Sequence, residues 1–221
     1  MATMVLLAAG SGQRVGAGVN KALLEVGGRP LLAWSLRTFD ASPSVERVVV
    51  VARAEDVSTI REIIAGSSTK VVAVTAGGPT RHQSEQRGLT TVAELAPQAS
   101  HVVGFHDAAR PLVSVDLVER VLDAAREGGA WPALPIQVVR ASDGRVDGEP
   151  FVALRAQTPQ AFRYDVLVDA FARAAVDGFE GTDTAATVQR CGVALEAVEG
   201  DPANLKVTIA ADLAEVERRL I

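Results

Sequence analysis

Runs of apolar, β-branched residues alternate with segments of helical spacing along most of this chain. Residues 5–9, 47–52 and 70–75 form short apolar runs, the kind that fills a strand buried on both faces of a sheet. Residues 31–40 and 55–65 carry their apolar side chains at helical spacing. Strands that alternate with helices in this way favour parallel β-α-β units. We therefore expect an α/β fold, a three-layer α/β/α sandwich in which ligands gather at the carboxyl ends of the strands.

The alternation breaks at residues 136–156. This stretch mixes β-branched residues with the turn signals Asp143-Gly144 and Asp147-Gly148, which indicates a hairpin projecting from the sandwich. The expected architecture is a mainly parallel but mixed, Rossmann-like sheet with a projecting β-arm. The length of 221 residues and the 48% hydrophobic content suit one core, so we expect a single domain over residues 1–221.

Composition and charge exclude several classes of protein. The net charge of -5 argues against a general nucleic-acid binder, which needs a broad basic face. An anionic ligand must therefore meet a local cluster of cations. The lone Cys191 excludes an internal disulfide, and the sequence has neither a signal-peptide pattern nor an apolar run of about 20 residues. We expect a cytoplasmic protein with no membrane partner.

A glycine-rich turn follows the first apolar run. Gly10 and Gly12 allow backbone to approach a ligand closely, and Arg14 and Lys21 follow at a spacing that can direct both cations at one polyphosphate. A P-loop would need Gly-Lys-Ser/Thr here, and the dinucleotide fingerprint would need glycine where Val15 stands. The pattern therefore indicates a third kind of phosphate-binding loop.

A second glycine turn lies at the end of the third predicted strand. Gly77 and Gly78 again suit close backbone approach, while Arg81 and Ser84 fall in the first turns of a helix that could present a hydroxyl to a base or ribose. The alternative is an ordinary strand-to-helix turn with a surface arginine.

An aspartate follows the apolar run at residues 102–106. Asp107 should lie on the loop at the end of this strand, at the ligand edge of the sheet, where a carboxylate suits Mg²⁺ that also holds triphosphate oxygens. Its alternative is a helix or turn cap. For His106 and His101 a structural role is favoured, because neither has cysteine or carboxylate neighbours at zinc-ligand spacing.

The loop at residues 8–14, Ala-Ala-Gly-x-Gly-x-Arg, followed by Lys21, resembles the opening of the nucleotide-sugar-type nucleotidyltransferases. Within that superfamily, most of the chain resembles the 2-C-methyl-D-erythritol 4-phosphate cytidylyltransferase family of the non-mevalonate isoprenoid pathway. The motifs that carry this resemblance are Gly-Gly-x-x-Arg-x-x-Ser at 77–84, His-Asp-Ala-Ala-Arg-Pro at 106–111 and Gly-x-x-x-Asn-x-Lys-x-Thr at 200–208.

The resemblance implies transfer of a cytidylyl group from CTP to a polyol phosphate, with release of pyrophosphate, in a homodimer clasped by the β-arm. It implies that Asp107 binds Mg²⁺ and that Lys206 is a catalytic cation. Lys206 lies in a strand-like segment, which can point a lysine inward. The site residues that it implies are, for catalysis, Arg14, Lys21 and Lys206; for the nucleotide, Ala8, Ala9, Gly10, Gly12, Gly77, Gly78, Arg81, Ser84 and Ala108; and for the acceptor, Thr182, Arg155 and Arg140.

The acceptor site departs from the family pattern. Where the family has Asp-Thr after the strand, residues 135–140 read Pro-Ile-Gln-Val-Val-Arg, and Arg140, Arg145 and Arg155 are all candidates for the arm arginine. Thr182 matches the family's acceptor-phosphate threonine, although a helix N-cap at Thr182 or Asp183 explains the same residues. Two alternatives therefore stay open: a cytidylyltransferase for another acceptor such as ribitol 5-phosphate, and a non-catalytic CTP-binding copy.

Overall fold

The structure, a computed structural model, describes residues 1–10, 20–142 and 145–220. The strands are β1 Ala2–Ala8, β2 Glu25–Val26, β3 Arg29–Pro30, β4 Val45–Ala52, β5 Val71–Ala76, β6 Val102–Asp107, β7 Gly129–Ser142, β8 Arg145–Ala156, β9 Gln160–Arg163 and β10 Glu196–Glu199. The α-helices are α1 Leu31–Ala41, α2 Val57–Ala65, α3 Arg81–Glu94, α4 Val115–Ala124, α5 Tyr164–Asp177, α6 Thr184–Gln189 and α7 Ala210–Leu220. Short 3₁₀ turns cover Lys21–Leu23, Ala54–Asp56 and Ala125–Glu127.

The main sheet runs in the order β10-β7-β9-β6-β1-β4-β5, with β8 paired to the outer part of β7. The apolar N-terminal run becomes β1, which lies at the centre and pairs in parallel with both β4 and β6. Strand β5 continues the parallel half, whereas β9 pairs antiparallel with both β6 and β7. The predicted α/β fold with a mainly parallel, mixed sheet is therefore confirmed.

Helices cover both faces of the sheet, which explains why β1 is apolar at consecutive positions. Leu6 points to one face and packs with side chains of α1, α2 and α4. Val5 points to the opposite face and packs with side chains of α3, α5 and α6. Because successive strand residues face opposite sides, a strand covered twice must be apolar throughout. A smaller cluster joins α7 to the short β2–β3 hairpin through Val216, Val207 and Val26.

The parallel strands bring their carboxyl ends to one edge of the sheet. Ala8 ends β1, Ala52 ends β4, Ala76 ends β5 and Asp107 ends β6. The chain is held here after the strands have ended, since the Gly77 amide donates to the carbonyl of Ala52 at 2.8 Å. Four strand ends therefore lie at this edge.

Strands β7 and β8 form a long antiparallel hairpin, with Ile136 opposite Ala153. In the described part of the chain, β8 pairs only with β7, so its other edge is open. Val152 and Leu154 lie two residues apart on β8 and are 66% and 54% exposed. No helix in the described ranges has the length and apolar character that crossing a bilayer requires.

Candidate active site

A cleft of about 360 Å³ opens at the carboxyl edge of the sheet, between the loops that follow β1, β5 and β6. It brings together residues that are far apart in sequence, including most of those singled out above. Its lining is formed by Leu7, Ala8, Ala9, Gly10, Asn20, Lys21, Ala22, Gly78, Pro79, Thr80, Arg81, Ser84, Asp107, Ala108, Ala109 and Lys206.

Asn20 fixes the far end of the first glycine loop. Its side-chain amide donates to the carbonyl of Ala8 at 2.7 Å and to Asp56 Oδ2 at 2.8 Å, while its Oδ1 accepts from the Ala22 amide at 3.0 Å. These three bonds hold the buried Asn20 side chain between the end of β1 and the 3₁₀ turn at Ala54–Asp56. The next residue, Lys21, extends its ammonium to the carbonyl of Val207 at 3.0 Å.

Asp107 is the centre of charge in the cleft. Lys206 Nζ donates to Asp107 Oδ2 at 2.6 Å, and Arg81 Nη2 donates to Oδ1 at 3.2 Å. Arg110 Nε lies 4.0 Å from Oδ2. Burial opposes ionisation of the carboxyl, yet Arg81, Lys206 and Arg110 outweigh it and hold the pKa of Asp107 well below its usual range. The carboxylate therefore stays ionised and anchors the surrounding cations.

Two expectations about the local structure around this cluster were wrong. Asp107 is not on a loop but is the last residue of β6, where it is only 8% exposed. Residues 200–208 are not strand-like either, because they form an irregular segment held by side chains. Arg110 Nη1 donates to the carbonyl of Asn204 at 2.8 Å, and the Val207 amide donates to the carbonyl of Ala109 at 2.8 Å. These bonds across the cleft direct Lys206 to Asp107 without strand pairing.

The second glycine turn brings α3 close to the end of β1. A Cβ at Gly77 would lie 2.7 Å from Ser84 Oγ and 2.9 Å from Ala9 Cβ, so only glycine fits there. Ser84 Oγ donates to the carbonyl of Thr80 at 2.9 Å and accepts from the Gly78 amide at 3.2 Å. The hydroxyl is thus engaged in shaping the turn as well as lining the cleft.

Arg110 is a site residue that sequence reasoning did not single out, although it lies inside the motif at 106–111. Its side chain is mostly buried, with Nε against Asp107 and Nη1 on Asn204. Burial lowers the pKa of Arg110, Asp107 opposes this, and the positive charge of Arg155 adds to the lowering. An arginine three residues after the aspartate at the end of a buried strand was the signal that could have identified it.

Glu85 was also missed, and the sequence gives no sign of it beyond an acidic residue on the helix after the glycine turn. The side chain is fully buried, pairs with Arg81 Nη1 through Oε1 and accepts from Thr184 Oγ1 at 2.8 Å. Burial raises the pKa of Glu85 to about 7, against the lowering effects of Arg81 and Thr184.

We expect Glu85→Gln to become more stable relative to wild type as the pH rises. The pKa of Glu85 is near 7 in the folded protein, whereas the reference value for the unfolded chain is 4.5. Between these two pH values the folded state therefore binds more protons than the unfolded state. Stability is therefore lost as pH rises through that window, by an amount on the order of 1–3 kcal/mol, and glutamine removes the loss. Urea unfolding of both proteins from pH 4 to 8 measures it, with Glu94→Gln at an exposed position of α3 as the control. A difference that does not change with pH would contradict the prediction.

The remaining predicted residues fall in different places. Gly12 and Arg14 lie outside the described residues, and the same holds for the side chain of Arg140 in β7. Arg155 is exposed on β8 and is not among the cleft-lining residues, and neither is the exposed Thr182. Asp183 is the N-cap of α6, accepting from the Ala186 amide at 2.8 Å.

The donor set around Asp107 can accept a metal ion only together with a ligand that brings further oxygens. Within residues 1–10, 20–142 and 145–220, no cluster of three or more histidine, cysteine or acidic side chains could hold a metal ion by itself. Mg²⁺ bound with a nucleotide needs only one or two protein carboxylates, because phosphates and water complete its shell. A single cleft carboxylate fits that requirement.

Comparisons with known proteins agree with the geometry. Residues 2–220 match the family model described as IspD, 2-C-methyl-D-erythritol 4-phosphate cytidylyltransferase. The chain is 41% identical over 98% of its length to a bifunctional enzyme IspD/IspF of Rhodopseudomonas palustris, strain HaA2, and covers 54% of that protein. It therefore spans about half the length of such curated relatives.

Other relatives match along nearly their whole length. A 2-C-methyl-D-erythritol 4-phosphate cytidylyltransferase of Acidobacterium capsulatum is 38% identical, with 95% of this chain and 93% of that protein covered. The crystal structure of the enzyme of that name from Thermus thermophilus superimposes with a TM-score of 0.75 at 36% identity, covering 99% and 98% of the two chains.

Proposed function

The chain belongs to the 2-C-methyl-D-erythritol 4-phosphate cytidylyltransferase family, and from this we propose that it transfers the cytidylyl group of CTP to 2-C-methyl-D-erythritol 4-phosphate. The products are 4-diphosphocytidyl-2-C-methylerythritol and pyrophosphate, in the non-mevalonate route to isoprenoids. The observation that carries the proposal is Asp107, fixed among Lys206, Arg81 and Arg110 beside the end of β1.

In the proposed reaction, a phosphate oxygen of the acceptor attacks the α-phosphorus of CTP in line, and the bond to the pyrophosphate oxygen breaks. The acceptor phosphate is already anionic, so no general base is needed. Negative charge develops on the phosphoryl oxygens and on the leaving pyrophosphate. Lys21 and Lys206, which line the same cleft, suit its neutralisation, and Arg14 is proposed to join them.

Mg²⁺ is part of the proposal, with Asp107 as its protein ligand. When bound, the ion would supply positive charge to the triphosphate oxygens. In the structure, Asp107 already accepts bonds from Lys206 and Arg81. Asp107 would therefore hold the ion while it keeps Lys206 and Arg81 close by, where both side chains could contact phosphate oxygens.

A pyrophosphate-release assay with CTP and a panel of polyol phosphates tests the reaction. We expect product from methylerythritol phosphate. Good turnover of ribitol 5-phosphate without turnover of methylerythritol phosphate would instead assign the chain to another acceptor. CTP binding without pyrophosphate release from any acceptor would indicate the non-catalytic copy.

We expect CTP to be preferred over ATP and GTP by at least roughly tenfold in kcat/KM. The backbone at Ala8, Ala9 and Gly10 and at Gly77 and Gly78 is proposed to read the donor and acceptor edge of cytosine. Support comes from the close approach of the two glycine turns, since a Cβ at Gly77 would lie 2.9 Å from Ala9 Cβ. Competition between the nucleotides in the same assay measures the preference, and equal use of ATP would contradict base recognition by these turns.

We expect the KM for methylerythritol phosphate to be high while the KM for CTP is ordinary. Without the family's threonine in residues 135–140, one hydrogen bond to the acceptor is missing, a loss of about 0.5–1.5 kcal/mol or up to about tenfold in binding. Arg155 or Arg140 is proposed to contact the acceptor phosphate, with Thr182. The charge of Arg155 already acts on Arg110, which supports its candidacy. Steady-state kinetics of Arg155→Ala measure this, and an unchanged acceptor KM would remove Arg155 from the site.

The β7–β8 hairpin, residues 136–156 of the proposed single domain, is proposed to clasp a second copy of the chain. The open edge of β8 and the exposed Val152 and Leu154 on it support this, because such an edge is normally covered. Sedimentation of wild type and of Leu154→Lys tests it: a monomeric wild type would contradict the homodimer. A cytoplasmic location belongs to the same proposal, since the reaction draws on a pool of CTP.

A further inference from the structure

A buried carboxyl group lies behind the cleft and is not used by the proposed reaction. Glu85 does not line the cleft, and its side chain is fully buried in the first turns of α3. Its Oε1 receives both Arg81 Nη1 and Thr184 Oγ1, whereas Oε2 has no hydrogen-bond partner among the described residues. Burying an ionisable group with one oxygen unpartnered is costly, so the stability of the fold does not account for a carboxyl at this position.

Arg81 joins this buried carboxyl to the cleft. Its Nη1 pairs with Glu85, and its Nη2 donates to Asp107 Oδ1 at 3.2 Å. The guanidinium is planar, so fixing one nitrogen on Glu85 also fixes the direction of the other. Asp107 uses its second oxygen for Lys206. The orientation of the Asp107 carboxylate, and through it the place of the Lys206 ammonium, therefore depends on where Arg81 is held.

Glu85 is itself held by a rigid neighbour. Thr184 is fully buried at the start of α6. That helix start is tied to β9, because Gln160 accepts from the Ala185 amide at 2.9 Å and donates to Asp183 Oδ2 at 3.0 Å. Thr184 therefore approaches Glu85 from a fixed position. The charged groups that act on Glu85 are Arg81 from its own helix, Asp107 from β6 and Asp183 from the turn before α6.

We propose that Glu85 is a positioning residue for cytidylyl transfer, holding the Arg81 guanidinium so that Asp107 presents Lys206 to the phosphates. The proposal rests on the proposed function. Glu85 acts through a series of contacts that runs from Thr184 through Glu85 and Arg81 to Asp107 and Lys206. Small displacements of a charge-stabilising group affect the transition state more than the bound nucleotide.

The first measurement compares kinetics. Glu85→Gln keeps the shape of the side chain and removes its charge; we expect kcat to fall about tenfold while the Kd for CTP changes less than threefold. Thr184→Val should lower kcat in the same direction, and Thr184→Ser, which keeps the hydroxyl, should restore it. Glu94→Gln makes the same chemical change at an exposed position of α3 and should leave kcat unchanged.

The second measurement needs no turnover. Arginine modification by phenylglyoxal, followed by peptide mass spectrometry, reports how tightly each guanidinium is held. We expect Arg81 to be modified at least fivefold faster in Glu85→Gln, with the exposed Arg87 on the same helix as the internal reference. If Glu85 had a purely structural role, its replacement in a correctly folded variant would change neither the rate of Arg81 modification nor the ratio of kcat to the Kd for CTP.

The outcomes separate the two proposals. Unchanged labelling of Arg81, or a kcat within twofold of wild type in both Glu85→Gln and the uncharged Glu85→Leu, overturns the role of Glu85. If the wild type turns over no polyol phosphate, the proposed function is overturned, and the labelling of Arg81 still decides whether Glu85 holds it.

Discussion

Replacement of Lys206 by alanine is expected to lower turnover by about 10²-fold or more, because preorganised charge is a large part of catalysis of this kind. The side chain is 40% exposed, and its ammonium lies 2.6 Å from Asp107 in the cleft that is proposed to hold the triphosphate. Because the side chain is partly exposed, its removal should change the free energy of unfolding little. The measurement is kcat at saturating CTP and acceptor, with thermal unfolding of the same sample.

Two variants serve as controls for Lys206. Lys206→Arg keeps the positive charge and should retain more activity than the alanine variant. Lys70→Ala removes a lysine whose ammonium donates to the carbonyls of Phe39 and Ser42 near the opposite edge of the sheet. It should affect stability more than kcat. A wild-type kcat in Lys206→Ala would remove this residue from the catalytic group.

Asp107→Asn is expected to impair both turnover and folding. Turnover should fall on the order of 10²-fold, since Lys206 and Arg81 lose the carboxylate that places them. Stability should fall by about 3 kcal/mol, because removing one partner of a buried ion pair leaves cations without compensation. A loop position for Asp107 would predict that folding stability is spared, and its burial at the end of β6 corrects that expectation.

The pH dependence of stability gives a second readout at Asp107. The pKa of Asp107 is lower in the folded protein than the ordinary value of 3.8. The stabilisation of the fold by the ionised carboxylate is therefore complete above pH 3.8 and is lost as the pH falls below that value. The Asp107→Asn variant should lack this part of the acid-induced loss. Asp116→Asn, at an exposed position of α4, is the matched control. An Asp107→Asn variant that unfolds like wild type at pH 7 would contradict the buried cluster.

Local sequence predicts much of the fold because the signals involved are local. A strand buried on both faces must be apolar at consecutive positions, as residues 4–8 of β1 and 48–52 of β4 are. Glycine is needed where backbone approaches backbone, as at Gly77 between Ser84 and Ala9. The family motifs predicted which strand ends form the cleft, because the carboxyl ends of parallel strands lie at the same edge of the sheet.

Contacts between segments far apart in sequence could not be predicted from local sequence patterns. Lys206 meets Asp107 across 99 residues of sequence, and the segment that carries it is irregular because side-chain and loop hydrogen bonds replace strand pairing. Thr184 meets Glu85 across another 99 residues. Neither pair has a spacing that periodicity can detect.

The sequence by itself determined the alternating α/β order, the glycine turns and the identity of the cations near the strand ends. Only the tertiary structure decided which cations share the Asp107 carboxylate, that Arg110 belongs to the cluster and that Glu85 is buried behind it. The physical reason is that secondary structure follows from neighbouring residues, whereas burial and charge pairing depend on how separate elements pack.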